Sequence, residues 1–277
     1  MNAAGAQGEA LGEAQTALAA LLALMARLRD PAGGCPWDRQ QTFATIAPYT
    51  LEEAYEVADA IDRNDRAQLR DELGDLLFQI VFHCQLASER GWFDFTQVAS
   101  TIHAKLVRRH PHLFGGPAVA DAQQQTRSWE SLKAEERAAL ARTQDAPDHS
   151  ALAHVPQALP ALARAAKLGR RAARVGFDWQ QPAQVRAKVL EELHEVDAAL
   201  TQGDATHVAE EVGDLLFAVA NWTLHLQIDP EEALRAANRK FERRFRHMER
   251  LAGAQGRPLE SLSAAEWDEL WSRAKSG

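Results

Sequence analysis

The sequence predicts an all-α protein built from two tandem helical bundle domains. Three observations predict it. The chain is Ala- and Leu-rich, and two tyrosines with scattered β-branched residues leave little from which to build sheet. Acidic and apolar side chains recur three and four positions apart over long stretches, which places them on common helix faces. One set of spaced motifs occurs twice, in the same order. With 277 residues, 46% apolar and 25% charged, the chain is long enough to bury one or two sizeable cores.

Residues 1–12 are small and polar and are expected to form a disordered tail. A first helix is expected from Ala14 to Arg29, closed by Asp30-Pro31 and the glycines at 33 and 34. A loop carries Cys35-Pro36-Trp37-Asp38. An acidic helix starts near Pro48, an early-helix residue, and runs to Ile61. After Arg63-Asn64-Asp65 turns the chain, a second acidic helix covers Arg66 to Glu89 and stops at Gly91. Asp94 or Thr96 caps the next helix, which ends before Pro111. A further helix is expected over 126–141. The segment 143–160, with three prolines, reads as a linker between domains spanning 13–142 and 161–277. The second domain repeats the plan. An Ala-, Lys- and Arg-rich helix closes at Gly176, and acidic helices follow over Pro182–Leu200 and Asp204–Leu226. Asp229-Pro230 opens a long helix to Leu251. The capping-box spacing of Ser263 and Glu266 opens the last one.

Composition narrows the function. A net charge of −8 and a pI of about 5.7 disfavour nucleic acid as a partner. Cys35 and Cys84 make no disulfide framework and lack zinc-ligand spacing, as expected of a cytoplasmic chain. The apolar run from Ala17 to Leu28 lacks a basic segment before it, unlike a signal peptide, and is too short to span a bilayer. No membrane partner is expected.

The chemistry sits on the acidic helices. Glu191, Glu192 and Glu195 share one side of a helix, and Glu211 and Asp214 share one side of the next. The turn at Thr201–Asp204 folds the two faces together. Carboxylates gathered this way raise one another's pKa unless a cation sits among them. Hard divalent ions such as Mg²⁺ take oxygen ligands, so the hairpin reads as a magnesium site. Gly213, beside Asp214, leaves room for another helix or a ligand. Few lysines or arginines are interleaved, and the pattern occurs twice. Leu51-Glu52-Glu53-Ala54-Tyr55-Glu56-Val57 matches Leu190-Glu191-Glu192-Leu193-His194-Glu195-Val196. Glu72-Leu73-Gly74-Asp75 matches Glu211-Val212-Gly213-Asp214 at the same offset. Lys105 to Arg109 echoes Lys240 to Arg244, and Trp129 and Lys133 echo Trp271 and Lys275.

Paired E-E-x-x-E and E-x-x-D helices, the C-P-W-D-x-x-Q-T run and the K-x-x-R-R tails resemble the MazG family of nucleoside triphosphate pyrophosphohydrolases, in its tandem-domain bacterial form, from about Leu21 to Lys275. The resemblance implies an all-helical MazG-like fold, a homodimer and a Mg²⁺-dependent reaction, with Mn²⁺ as a substitute. An NTP or dNTP is split into monophosphate and pyrophosphate by water attacking the α-phosphorus, in the service of nucleotide-pool house-cleaning or stress regulation. It puts the metal on Glu192, Glu195, Glu211 and Asp214, with Glu210 and Glu191 beside them. Glu191 and Glu192 are the candidates for handling the water. Lys188, Lys240, Arg243, Arg244 and Lys275 would meet the phosphates, and Trp271 the base. Glu52, Glu53, Glu56, Glu72, Asp75, Lys105, Arg109, Trp129 and Lys133 form a second candidate site, with Tyr49 where the second domain has Lys188. Hydrolysis of ordinary NTPs is therefore expected mainly in the second domain. Two other readings stand beside this one. One is a carboxylate di-metal bundle, for which Glu191-x-x-His194 has the spacing. The other is a non-catalytic helical module that binds a basic partner.

Overall fold

The computed structural model describes residues 3–115 and 150–276, together with 121, 124, 125, 129, 132, 136 and 148. Among the described residues the regular structure is helical throughout. The chain divides into two compact units, Met1–Glu135 and Glu136–Gly277.

In the first unit, α1 (Ala3–Leu28) is followed by the short α2 (Pro36–Gln40), α3 (Phe43–Asp62), α4 (Arg66–Glu89) and α5 (Phe95–Arg109). Helix α1 starts at Ala3, so most of the expected tail continues the helix. Its Ala-, Glu- and Gln-rich sequence favours that extension despite the glycines. The stretch Gly8–Leu28 is 21 residues long with a mean hydropathy of 1.3, enough by length and composition to cross a membrane, which corrects the shorter run expected. The last turns of α1 are used for packing. Met25 is buried with Ile46, Val81, Phe82 and Leu86, and Leu21 and Leu22 lie against that core. Helix α3 begins at Phe43 rather than near Pro48. Thr42 and Thr45 form a reciprocal capping box there, and Pro48 sits inside the helix at the cost of one backbone bond. The short α2 was expected as loop; Pro36, at its first turn, has φ suited to that position. Asp94 caps α5, again reciprocally, with Gln97.

In the second unit, α6 (Ala161–Ala173), α7 (Pro182–Gln202), α8 (Ala205–His225), α9 (Pro230–Ala254) and α10 (Ala264–Ser276) follow in order. Helix α6 packs on α8 closely: a Cβ built on Gly169 would lie 2.7 Å from Asn221 Oδ1. Helices α9 and α10 enclose a separate core of Met248, Ala252, Leu270 and Ala274, flanked by Trp267 and Trp271. The end of the expected linker belongs to this unit. Ala153 and Val155 are buried, and the nearly buried Arg171 donates to the carbonyls of Ala151 and Ala153 at 3.1 Å each. The helix expected over 126–141 lies mostly outside the described residues.

The hairpins α3–α4 and α7–α8 are the most extensive helix pairs of their units. Both turn in the same way. Asn64 (φ 53°) and Gly203 (φ 75°) take the left-handed conformation at corresponding positions. The next residue, Asp65 or Asp204, caps the returning helix by accepting from the N–H groups two and three residues on. A short turn of fixed geometry sets the register in which the two acidic faces meet.

Candidate active site

Helix α7 presents Glu191, Glu192 and Glu195, and α8 presents Glu210, Glu211 and Asp214. One carboxylate oxygen from each of Glu192, Glu195 and Glu211 lies within 4.8 Å of the others. Glu192 is the buried member, at 6% exposure, and Glu211 is half-buried. One turn before them, Lys188 Nζ stands 2.8 Å from Glu191 Oε1 and 2.8 Å from Glu192 Oε1. The hydrogen bonds it donates to those two carboxylates hold its pKa above the ordinary lysine value. The Glu195 carboxyl is pushed up, first by loss of water and then by its hydrogen bond with Glu192, while Lys188 opposes the rise. A carboxyl that holds its proton this way marks a site short of positive charge. Asp214 is exposed and stands outside the triad, although it shares the face of Glu211. Glu210 also stands outside it, 3.9 Å from His207 Nδ1. The same ring lies 3.5 Å from Glu211 Oε1, a neighbour the sequence reading missed. The grouped ligands are all carboxylates, so His194 of the E-x-x-H spacing takes no part.

The first hairpin builds the same triad from Glu53, Glu56 and Glu72. Burial raises the Glu53 pKa, followed by the charges of Asp75, Glu56, Glu72 and Glu52. The Glu56 carboxyl is raised chiefly by its hydrogen bond with Glu72. Gln68 Nε2 donates to Glu72 Oε1 at 3.0 Å. Tyr49, at the Lys188 position, turns edge-on to Trp37 with 6.4 Å between ring centroids and brings no charge to the acids.

The basic residues gather elsewhere. Lys240, Arg243, Arg244 and Lys275 line a cleft of about 580 Å³ with Arg246, His247 and Arg250, and no acid of the triad is in its walls. The structure thus joins the cations to one another and the acids to one another, without placing both sets in one pocket. Trp271 is half-buried against Phe241, at 5.7 Å, with the Arg244 guanidinium 5.7 Å above its ring. It belongs to the α9–α10 core as much as to the cleft. In the first unit Lys105 lines a separate cavity with Phe93, Gln97, Val98, Thr101 and Ile102. Trp129 Nε1 donates to the Arg109 carbonyl at 3.0 Å, so Trp129 fastens the end of α5. Lys133 lies outside the described residues. A Cβ at Gly74 or Gly213 would meet nothing within 4 Å, so the room expected at Gly213 faces open space within this chain.

Two all-carboxylate triads on matching helical hairpins make this a helical protein with two candidate divalent-cation sites. The comparisons narrow the class. The MazG nucleotide pyrophosphohydrolase domain matches residues 41–114 and 180–249, which contain the two hairpins. The chain is 50% identical to the nucleoside triphosphate pyrophosphohydrolase of Escherichia coli (strain K12), over 92% of this chain and 95% of the relative. It is 42% identical to the nucleoside triphosphate pyrophosphohydrolase/pyrophosphatase MazG of Thermotoga maritima, over 93% and 95%. A nucleoside triphosphate pyrophosphohydrolase of Mycolicibacterium smegmatis is 31% identical over 92% of this chain and 69% of its own length. The chain belongs to the MazG family and is an enzyme of the hydrolase class.

Proposed function

We propose that the chain hydrolyses nucleoside and deoxynucleoside triphosphates to the monophosphate and pyrophosphate, chiefly at the α7–α8 hairpin. The observation that carries this reading is the convergence of Glu192, Glu195 and Glu211, with Lys188 held against Glu192. The relatives' names support the reaction class. The donor set fits a hard divalent ion, because three carboxylates are close enough to share one and at least one of them is pushed toward protonation in its absence. Glu192, Glu195 and Glu211 would hold the ion, with Asp214 on the same face to complete the shell. When bound there, Mg²⁺, or Mn²⁺ in its place, supplies positive charge against the phosphate oxygens.

The remaining work falls to the chain's own groups. Glu191 lies beside the triad but outside it, and it is the carboxylate best placed to orient the attacking water and accept its proton. Lys188 would exchange its hold on Glu191 for a phosphate oxygen. Lys240, Arg243, Arg244 and Lys275 would meet the triphosphate, the arginines in bidentate fashion and the lysines as point charges. Trp271 would lend its exposed edge to the base. The first hairpin, lacking the Lys188 ammonium, would bind metal yet hydrolyse ordinary triphosphates less well.

A homodimer suits the surface. Leu190, Leu193, Leu216 and Phe217 are exposed on the second hairpin, and Leu51, Leu73, Leu77 and Ile80 on the first. An apolar face of that extent along a two-helix hairpin is one a second copy would cover to complete a four-helix bundle. The setting that fits this reading is cytoplasmic, with the enzyme clearing unwanted nucleotides or lowering pools under stress. The test is incubation with a panel of NTPs and dNTPs and Mg²⁺, with the products resolved. Monophosphate plus pyrophosphate is expected; diphosphate plus orthophosphate would place the attack at another phosphorus and overturn the reading.

A further inference from the structure

The two hairpins differ just inward of their acids. On α4, Asp75, Gln79 and His83 follow one another at intervals of four and so form a single stripe. The stripe faces α3, as the contact of His83 Nε2 with Thr50 Oγ1 at 3.0 Å and the action of Asp75 on Glu53 both show. Gln79 therefore lies between the acids and the His83–Thr50 pair. It is 6% exposed, and its Oε1 is a buried acceptor with no hydrogen-bond partner among the described residues. At the same offset, the second hairpin has Ala218 for Gln79, Trp222 for His83 and Val189 for Thr50. A polar set thus replaces an apolar one immediately beside otherwise matching candidate metal ligands.

The chemistry of that set is specific. Thr50 Oγ1 lies 3.3 Å from the Ile46 carbonyl, and with its proton given there it accepts from His83 Nε2. Burial lowers the His83 pKa, which favours the neutral ring, one nitrogen of which is an acceptor. The ring is fixed in place by stacking on Phe43, at 5.7 Å and 5°, which in turn stacks on Trp92 at 5.5 Å. Gln79 Oε1 is then an acceptor on that stripe, beside a neutral ring, and the complement of an acceptor is a donor. A buried acceptor without a protein partner is costly, and a ligand or an ordered water that donates to it removes the cost.

We infer that the first hairpin carries a nucleoside-recognition set of its own, in which Gln79 Oε1 accepts a hydrogen bond from a donor on the bound nucleotide: an exocyclic amine of the base or a sugar hydroxyl. This inference rests on the reading of the acids as a metal–phosphate site. It makes the first hairpin selective for the nucleoside where the second relies on charge around the phosphates.

The test uses the full-length chain carrying Glu192→Gln together with Lys240→Ala and Arg244→Ala, which remove both the metal and the phosphate contacts proposed for the second domain. Nucleotide binding in Mg²⁺ is measured by calorimetry for bases with and without an exocyclic amine, each as ribo- and deoxyribonucleotide. Gln79→Met, which keeps the volume and removes the acceptor, is then compared. The expected result is a loss of about tenfold or more in affinity for the preferred nucleotide alone, with Mg²⁺ affinity unchanged and the melting temperature equal or higher. A loss confined to amine-bearing bases assigns the donor to the base; one confined to ribonucleotides assigns it to the sugar. An unchanged panel with a lowered melting temperature would make the amide a structural group and overturn the inference, leaving the metal-site reading intact. No magnesium-dependent nucleotide binding at all would sink both.

Discussion

Glu192 is the side chain on which the second hairpin turns, because it is the buried member of its triad and the one Lys188 touches. Replacing it with Gln keeps the shape and removes the charge that a metal needs. Glu192→Gln should lower pyrophosphate release from ordinary NTPs by roughly a hundredfold or more, whereas Glu53→Gln should leave most of it. If only Glu53→Gln abolishes turnover, the two domains have exchanged roles. The raised carboxyls Glu53, Glu56 and Glu195 add a pH signature. A carboxyl whose folded pKa lies above its unfolded value favours folding below that value and disfavours it as pH rises through the folded pKa. The metal-free hairpins are therefore less stable once the pH has risen through these raised values, and there Mg²⁺ has most to relieve. The rise in melting temperature on adding Mg²⁺ should be larger at pH 7 than at pH 5; a rise that is flat or reversed with pH would detach the ion from these carboxyls.

The acidic hairpin is the element that was readable in advance, and its turn explains why. Asn64 or Gly203 in the left-handed region, followed by an Asp cap, is local chemistry written in adjacent residues. The boundaries of α4 and the cap Asp229 came from the same kind of signal. The start of α3 did not, because Pro48 looks like a first-turn residue while the Thr42–Thr45 box that begins the helix has no Glu or Gln to announce it. The absence of Asp214 from the triad and the separation of the basic cleft from the acids depend on side-chain direction and on packing between distant helices, which spacing does not carry. Gln79 was overlooked because the two copies were compared for what they share. Asp204→Ala should cost about 1 kcal/mol through loss of the cap. Gly203→Ala should cost roughly as much, since a Cβ is strained at φ 75°. Urea melts of the two variants check both, and a neutral Gly203→Ala would mean the turn relaxes more freely than its matched twin suggests.

For the molecule as a whole, the apolar faces matter most. Leu216, at 54% exposure, and Phe217, at 42%, lie beside the acids on α8. A charged residue there is tolerable only where water remains. If a second copy covers these faces as proposed, Leu216→Arg should lower the mass seen in light scattering toward that of a monomer while leaving helical content unchanged. A wild-type chain that is monomeric at assay concentration would remove the need for a covering copy. The repeat itself, two hairpins with the same turn and the same three glutamates, makes the chain a natural internal control, since one variant in each half asks the same question of two surroundings.

Lys188 has one more implication. Its ammonium is a built-in counterion, 2.8 Å from Glu192, and Tyr49 gives the first hairpin no such ballast. Starved of divalent ions by a chelator at neutral pH, the two halves should part company: amide protons in α3 and α4 should exchange with solvent sooner than those in α7 and α8.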